Sequence, residues 1–159
     1  GTGMFFFPKD EQKQADYLNI IRTTLADKGL ELMHVRQVPV DSSVLGKDAL
    51  AVEPNIKQLF VTAQDGSEVS EQTLYIVRKE MERLISDPEF YVVSLSAKTI
   101  IYKGMLSSTQ VRTYFLDLEQ PYFTSGMAVV HSRFSTNTFP RWSLAQPFRL
   151  LAHNGVRLS

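Results

Sequence analysis

Cysteine is absent from this 159-residue chain. Its absence excludes disulfides, thiolate metal sites and any thiolate nucleophile drawn from within the chain, and it fits a reducing, cytoplasmic setting. Net charge is absent as well: 17 Lys plus Arg stand against 17 Asp plus Glu. No overall field therefore recruits nucleic acid or an acidic membrane surface. Histidine is scarce, and His34, His131 and His153 are too widely spread in sequence for a zinc-binding spacing. No apolar run approaches the roughly 20 residues that span a bilayer. The opening Gly1-Thr2-Gly3-Met4-Phe5-Phe6-Phe7 is neither basic nor long enough for a signal peptide. Internal repeats, linkers and low-complexity segments are lacking too. What remains is 43% hydrophobic and 21% charged, the composition of a globular domain long enough to bury a core.

Hydrophobic periodicity predicts a mixture of strands and helices. The apolar run 5–7, stopped by Pro8, reads as a buried strand. Asp10 is placed to cap a helix whose stripe is Tyr17, Leu18, Ile21 and Leu25, and Gly29 lies just past its end. Extended patterning returns over 30–38. Residues 41–50 read as a short helix or an ordered loop ended by Pro54. A strand follows over 56–62, with a turn at Gln64-Asp65-Gly66. Ser70 caps a second long helix with core positions Leu74, Val77, Met81, Leu84 and Ile85. Its charges Arg78, Lys79, Glu80, Glu82 and Arg83 read as a solvated face. Residues 90–95 and 99–102 read as two hairpin strands, and Val111, Tyr114, Phe115 and Leu118 as a shorter helix capped by Ser108. A last strand over 127–130 runs into His131. The elements do not alternate strictly, which predicts an α+β fold.

The stretch 131–155 carries the chemistry. It holds a guanidinium, hydroxyls, two imidazoles and an Asn-Gly pair, and no carboxylate. Such a stretch is poor at general-base work and suited to holding an anion. Arg133 can fork onto a carboxylate through two parallel hydrogen bonds. The amide of Asn154 and the N–H of Gly155 can point at an oxygen gaining negative charge. Each residue alone has an ordinary explanation. Arg133 can pair with a surface carboxylate, His131 and His153 can be structural, and Asn154-Gly155 is the usual two-residue hairpin turn. Trp142 and Phe148 read as packed in a core or covering a loop, and His34 as structural. A nuclease built on His131 and His153 would lack both positive charge and acidic metal ligands.

The combination His131-Ser132-Arg133-Phe134-Ser135-Thr136 with His153-Asn154-Gly155 resembles the glutamine-binding segment of class II, N-terminal-nucleophile glutamine amidotransferases. The intervening Asn137-Thr138-Phe139-Pro140 and Leu144-Ala145-Gln146-Pro147-Phe148-Arg149 are similar to the large (alpha) subunit of glutamate synthases. The similarity extends to Arg36-Gln37-Val38-Pro39, to Leu95 through Met105, and to the opening strand, so it covers nearly the whole chain. It implies a four-layer αββα fold, incomplete at both ends here, with residues 1–155 a partial amidotransferase domain. It also implies glutamine as substrate: Arg133 grips the α-carboxylate, Phe134 and Thr136 line the pocket, and Asn154 and Gly155 form the oxyanion hole. An N-terminal cysteine would attack the glutamine amide with its own α-amino group as base. FMN and an iron–sulfur cluster are implied for the full-length enzyme, none for this chain. The remaining domains and a small electron-donating subunit are the implied partners.

The chain departs from the family's wording at two places. It begins at Gly1 without the nucleophilic cysteine, and residues 156–159, Val156-Arg157-Leu158-Ser159, replace the expected continuation after Gly155. The expectations are an interior fragment inactive on its own and self-association to cover exposed sheet or apolar surface. The alternative is a non-catalytic carboxylate-binding or interaction domain derived from an amidotransferase.

Overall fold

The computed structural model describes residues 1–131 and 139–148. At its centre lies a four-stranded antiparallel sheet of β1 (Thr2–Phe7), β2 (Leu30–Gln37), β3 (Asn55–Ala63) and β4 (Tyr91–Ser96), ordered β2-β3-β1-β4. Two long helices, α1 (Glu11–Ala26) and α3 (Glu71–Leu84), each carry the chain over one intervening strand. The result is the split β-α-β-β-α-β arrangement, an α+β architecture as the unequal alternation predicts. Among the described residues this is the sole sheet, with one layer of long helices against it. A second stacked sheet is not formed within them. None of their helices is long and apolar enough to cross a membrane.

Both helices start where side chains can satisfy their free N–H groups. Asp10 accepts from the Lys13 amide at 2.8 Å and Ser70 from the Thr73 amide at 3.0 Å. Gly29 and Gly66 take φ of 70° and 75°, a left-handed conformation that glycine adopts without a Cβ penalty. They turn the chain into β2 and out of β3. The apolar stripe of α1 (Ile21, Leu25) and that of α3 (Leu74, Val77, Met81) pack on Phe5, Phe7, Leu59, Val61, Val92 and Leu95 of the sheet. Outside this layer, Asp87 ties α1 to the start of β4, accepting from the Tyr17 hydroxyl at 2.5 Å and from Lys13 Nζ at 2.9 Å.

The opposite face is covered without a long helix. Met4, Phe6, Ile56 and Val93 meet Val38, Ala49, Tyr114, Phe115 and Trp142. These come from α2 (Lys47–Ala51), α4 (Gln110–Tyr114) and the connecting segments. Residues 41–50 are thus a 3₁₀ turn, Ser42–Val44, followed by α2.

Several expectations are corrected. Residues 99–102 form no strand. The Ser96 hydroxyl accepts from the amides of Lys98 and Thr99, and the Ser94 hydroxyl from that of Ile101. Those side chains take the amides that a hairpin ladder would use and send the chain back over the sheet. Residues 127–130 also form no strand; Met127 and Val130 are 81% and 83% exposed, and none of the strands among the described residues lies beside them. The third helix is capped at Thr109, without a side-chain cap bond, rather than at Ser108. Leu84 is 45% exposed, since the core turn of α3 ends at Met81 and Ile85 takes the buried position. The supposed solvated face of α3 is partly covered: the Arg78 side chain is 13% exposed and its Nε donates to Glu82 Oε1 at 2.8 Å.

This difference along one helix is directly measurable. Met81→Ala should lower the stability of the chain by about 2–5 kcal/mol through lost burial and a residual cavity. Leu84→Ala should stay within about 0.5 kcal/mol. Urea unfolding of the two variants checks the pair, and equal losses would contradict the placement of Leu84.

Candidate functional site

The residues singled out by sequence for glutamine chemistry, Arg133, Phe134, Thr136, Asn154 and Gly155, lie outside the described residues, as does the 156–159 tail. Of the 131–155 stretch the structure places His131, which is exposed, and 139–148. The latter segment is the middle of the candidate site, and how it is held can be built up residue by residue.

Trp142 anchors it. In the 3₁₀ turn Trp142–Leu144 its indole is buried, edge-on to Phe6 at a centroid distance of 6.0 Å and 5.5 Å from the Tyr114 ring. Its Nε1 donates to the Ala49 carbonyl at 3.1 Å. A buried indole needs such a partner for its single N–H. The ring lies so close to Gly104 that a Cβ there would sit 2.4 Å from Cζ3. Glycine at 104 is therefore a packing requirement.

Lys103, next to that glycine, holds the same segment by charge. The residue is 3% exposed. Its Nζ donates to the Ser143 carbonyl at 2.9 Å and to the Tyr91 hydroxyl at 3.4 Å. It also stands 4.6 Å from the ring centroids of both Tyr91 and Phe148, within the range of cation–π attraction. None of the ion pairs among the described residues involves it. Burial, helped by the nearby Arg78 charge, lowers its ammonium from an ordinary 10.5 to about 8.

Two polar networks brace the rest of this face. Arg36 grips Asp117 with both terminal guanidinium nitrogens, and its Nε donates to Gln58 Oε1 at 2.7 Å. The Tyr102 hydroxyl donates to the same Asp117 at 3.0 Å. Gln58 in turn donates to the Thr2 hydroxyl at 3.0 Å, on β1. In the second network Glu53 accepts from Ser42 and from the fully buried Tyr114, each at 2.7 Å. Burial, with the adjoining carboxylates, holds both Tyr102 and Tyr114 well above the usual phenol range.

Of the two readings open for Trp142, core or loop cover, the structure gives the core, and residues 95–105 and 36–39 fall inside the region that the family model matches. It did not identify Lys103, Glu53 or Asp117 as holding groups. For Lys103 a signal existed: an isolated lysine inside the apolar run 100–106 has no solvated face to occupy.

The signs of these shifts set a pH profile. The native state gives up the Lys103 proton near pH 8, before the unfolded chain does, so stability rises with pH from about 8 toward 10. Above about 10 the unfolded chain loses its tyrosine protons first, Tyr102 and Tyr114 stay protonated in the native state, and stability falls. Urea midpoints across pH 7.5–11 should therefore pass through a maximum, about 9–10. In Lys103→Met the rise should vanish while the fall remains. A wild-type profile that declines steadily from pH 8 would contradict the buried ammonium.

Comparison with known proteins follows the same stretch of chain. The family model for class-II glutamine amidotransferases matches residues 1–156. The chloroplastic ferredoxin-dependent glutamate synthase of Oryza sativa subsp. japonica is 44% identical over 161 residues, covering 98% of this chain and 10% of that protein. A ferredoxin-dependent glutamate synthase of Synechocystis is 41% identical over 157 residues with the same coverage. The NADH glutamate synthase of Schizosaccharomyces pombe is 48% identical over 143 residues, 84% of this chain and 7% of that protein. The chain thus spans about a tenth of the length of the curated relatives it matches. By the family model the chain belongs to the class II glutamine amidotransferase family, and the relatives named here are glutamate synthases.

Proposed function

We propose that this chain forms part of the glutamine-binding, ammonia-producing domain of a glutamate synthase, the enzyme that makes glutamate from glutamine and 2-oxoglutarate. The observation that carries the reading is the joint presence of the His131–Arg133–Thr136 and His153–Asn154–Gly155 groupings in a chain of this family. Arg133 pairs with the α-carboxylate of glutamine, and Phe134 and Thr136 line the pocket. A cysteine thiolate attacks the side-chain carbonyl carbon, and the carbonyl oxygen takes up negative charge that the Asn154 amide and the Gly155 N–H stabilise. Collapse of the adduct expels ammonia and leaves a thioester, which water hydrolyses to glutamate.

This chain contains no cysteine, so the nucleophile comes from elsewhere in the parent polypeptide. Its residues do not fit the redox groups of the parent either. Iron–sulfur clusters are held by cysteine thiolates, of which there are none. The described residues hold no grouping of three His, Asp or Glu suited to a metal. The cluster therefore belongs to other domains, and FMN is assigned there with it, where the ammonia meets 2-oxoglutarate and, in the relatives named above, ferredoxin or NADH supplies electrons.

The test is ammonia release from glutamine by the full-length enzyme and its variants. Arg133→Met should raise the KM for glutamine by roughly 10- to 100-fold, the loss of a charge-assisted pair. Asn154→Ala should lower kcat by about 10²–10³ with a smaller change in KM. The isolated 159-residue chain should release no ammonia above background. Turnover by that chain, or a full-length enzyme indifferent to both substitutions, would overturn the reading, the second outcome in favour of a non-catalytic binding domain.

A further inference from the structure

We propose that Lys103 is a positioning residue of the glutaminase reaction, holding segment 139–148 so that the residues on either side of it can seat glutamine. The inference rests on the glutamine-binding reading above and adds to it a residue outside the 131–155 stretch.

Three contacts from two consecutive residues converge on the segment. Gly104 admits the Trp142 ring, Lys103 Nζ binds the Ser143 carbonyl, and the same ammonium stands over the Phe148 ring. Residues 142, 143 and 148 are thereby fixed to a chain that leaves β4 only seven residues earlier. Phe148 precedes Asn154 by six residues and Trp142 follows Arg133 by nine. The held span 142–148 thus stands between Arg133 and Asn154 in the chain, and both leave from a stretch that Lys103 and Gly104 attach to the sheet.

The charge is what needs explaining. A methionine at 103 would fill the space between Tyr91 and Phe148 at no desolvation cost. A buried ammonium without a carboxylate partner among the described residues loses hydration that one carbonyl, one phenol oxygen and two ring faces replace only in part. What the ammonium supplies, and an apolar side chain cannot, is directional attachment to a backbone carbonyl inside a segment that has no sheet ladder or long helix to hold it. Catalysis is sensitive to such attachment, since displacing reacting groups by about 1 Å can cost 10²-fold in rate.

The experiment measures glutamine-dependent ammonia release in the full-length enzyme with Lys103→Met. We expect kcat/KM to fall at least tenfold with KM for glutamine raised at least threefold, while the thermal midpoint stays within a few degrees or rises. A loss of folded enzyme alone would lower apparent kcat and leave KM unchanged. Should K103M not accumulate as folded enzyme, K103Q, which keeps a donor but not the charge, is read by the same thresholds. KM unchanged within twofold in the folded variant, alongside a raised KM in Arg133→Met, overturns the role of Lys103 and leaves the glutamine reading intact. A wild-type enzyme that releases no ammonia from glutamine overturns both.

Discussion

Strand β1 has no face toward solvent, and the rest of the molecule is arranged around that constraint. Met4, Phe5, Phe6 and Phe7 are all at most 3% exposed. Alternate side chains of a strand point to opposite faces, so Phe5 and Phe7 need one cover and Met4 and Phe6 another. The first cover is the familiar one, two amphipathic helices laid on a sheet. The second is made of short turns and a loop, and it is there that segment 139–148 is attached. Burial of β1 on its far side and placement of the functional segment are therefore the same event: Phe6 packs on Trp142.

A cover built from irregular chain has to satisfy its backbone and polar groups by other means than a ladder. This face does so with side chains. Asp117 collects Arg36 and Tyr102, Glu53 collects Ser42 and Tyr114, and Lys103 takes the Ser143 carbonyl. Fork-shaped arginine–carboxylate pairing fixes orientation as well as distance, which suits a surface that must hold its shape without long helices. The helical side shows the contrast. Its core contacts are apolar, and its ion pairs lie outside that core.

Particular residues show how far the sequence could be read. The two long helices were legible because caps, stripe and terminal glycine all agree, as at Asp10, Ile21, Leu25 and Gly29. The two missing strands were not. Residues 99–102 are β-branched and aromatic, which is a strand signature, yet Ser94 and Ser96 divert their amides. Residues 127–130 are apolar and end in two β-branched valines, with no strand among the described residues beside them. Leu84 obeys helical spacing but falls one turn beyond the packed part of α3. In each case a local pattern was right about side-chain type and silent about what would lie opposite.

The sequence by itself determined the α+β class, the caps of the two long helices and their turns, and through the wording of 131–155 the family and the residues proposed to meet glutamine. Those properties depend on near neighbours in the chain or on a run of residue types. Only the tertiary structure decided that Lys103 and Gly104 hold segment 139–148 and that Glu53 and Asp117 brace the rest of the same face. Their partners lie 40, 38, 61 and 81 positions away, and a lysine's burial or a glycine's close approach is set by what folds against it.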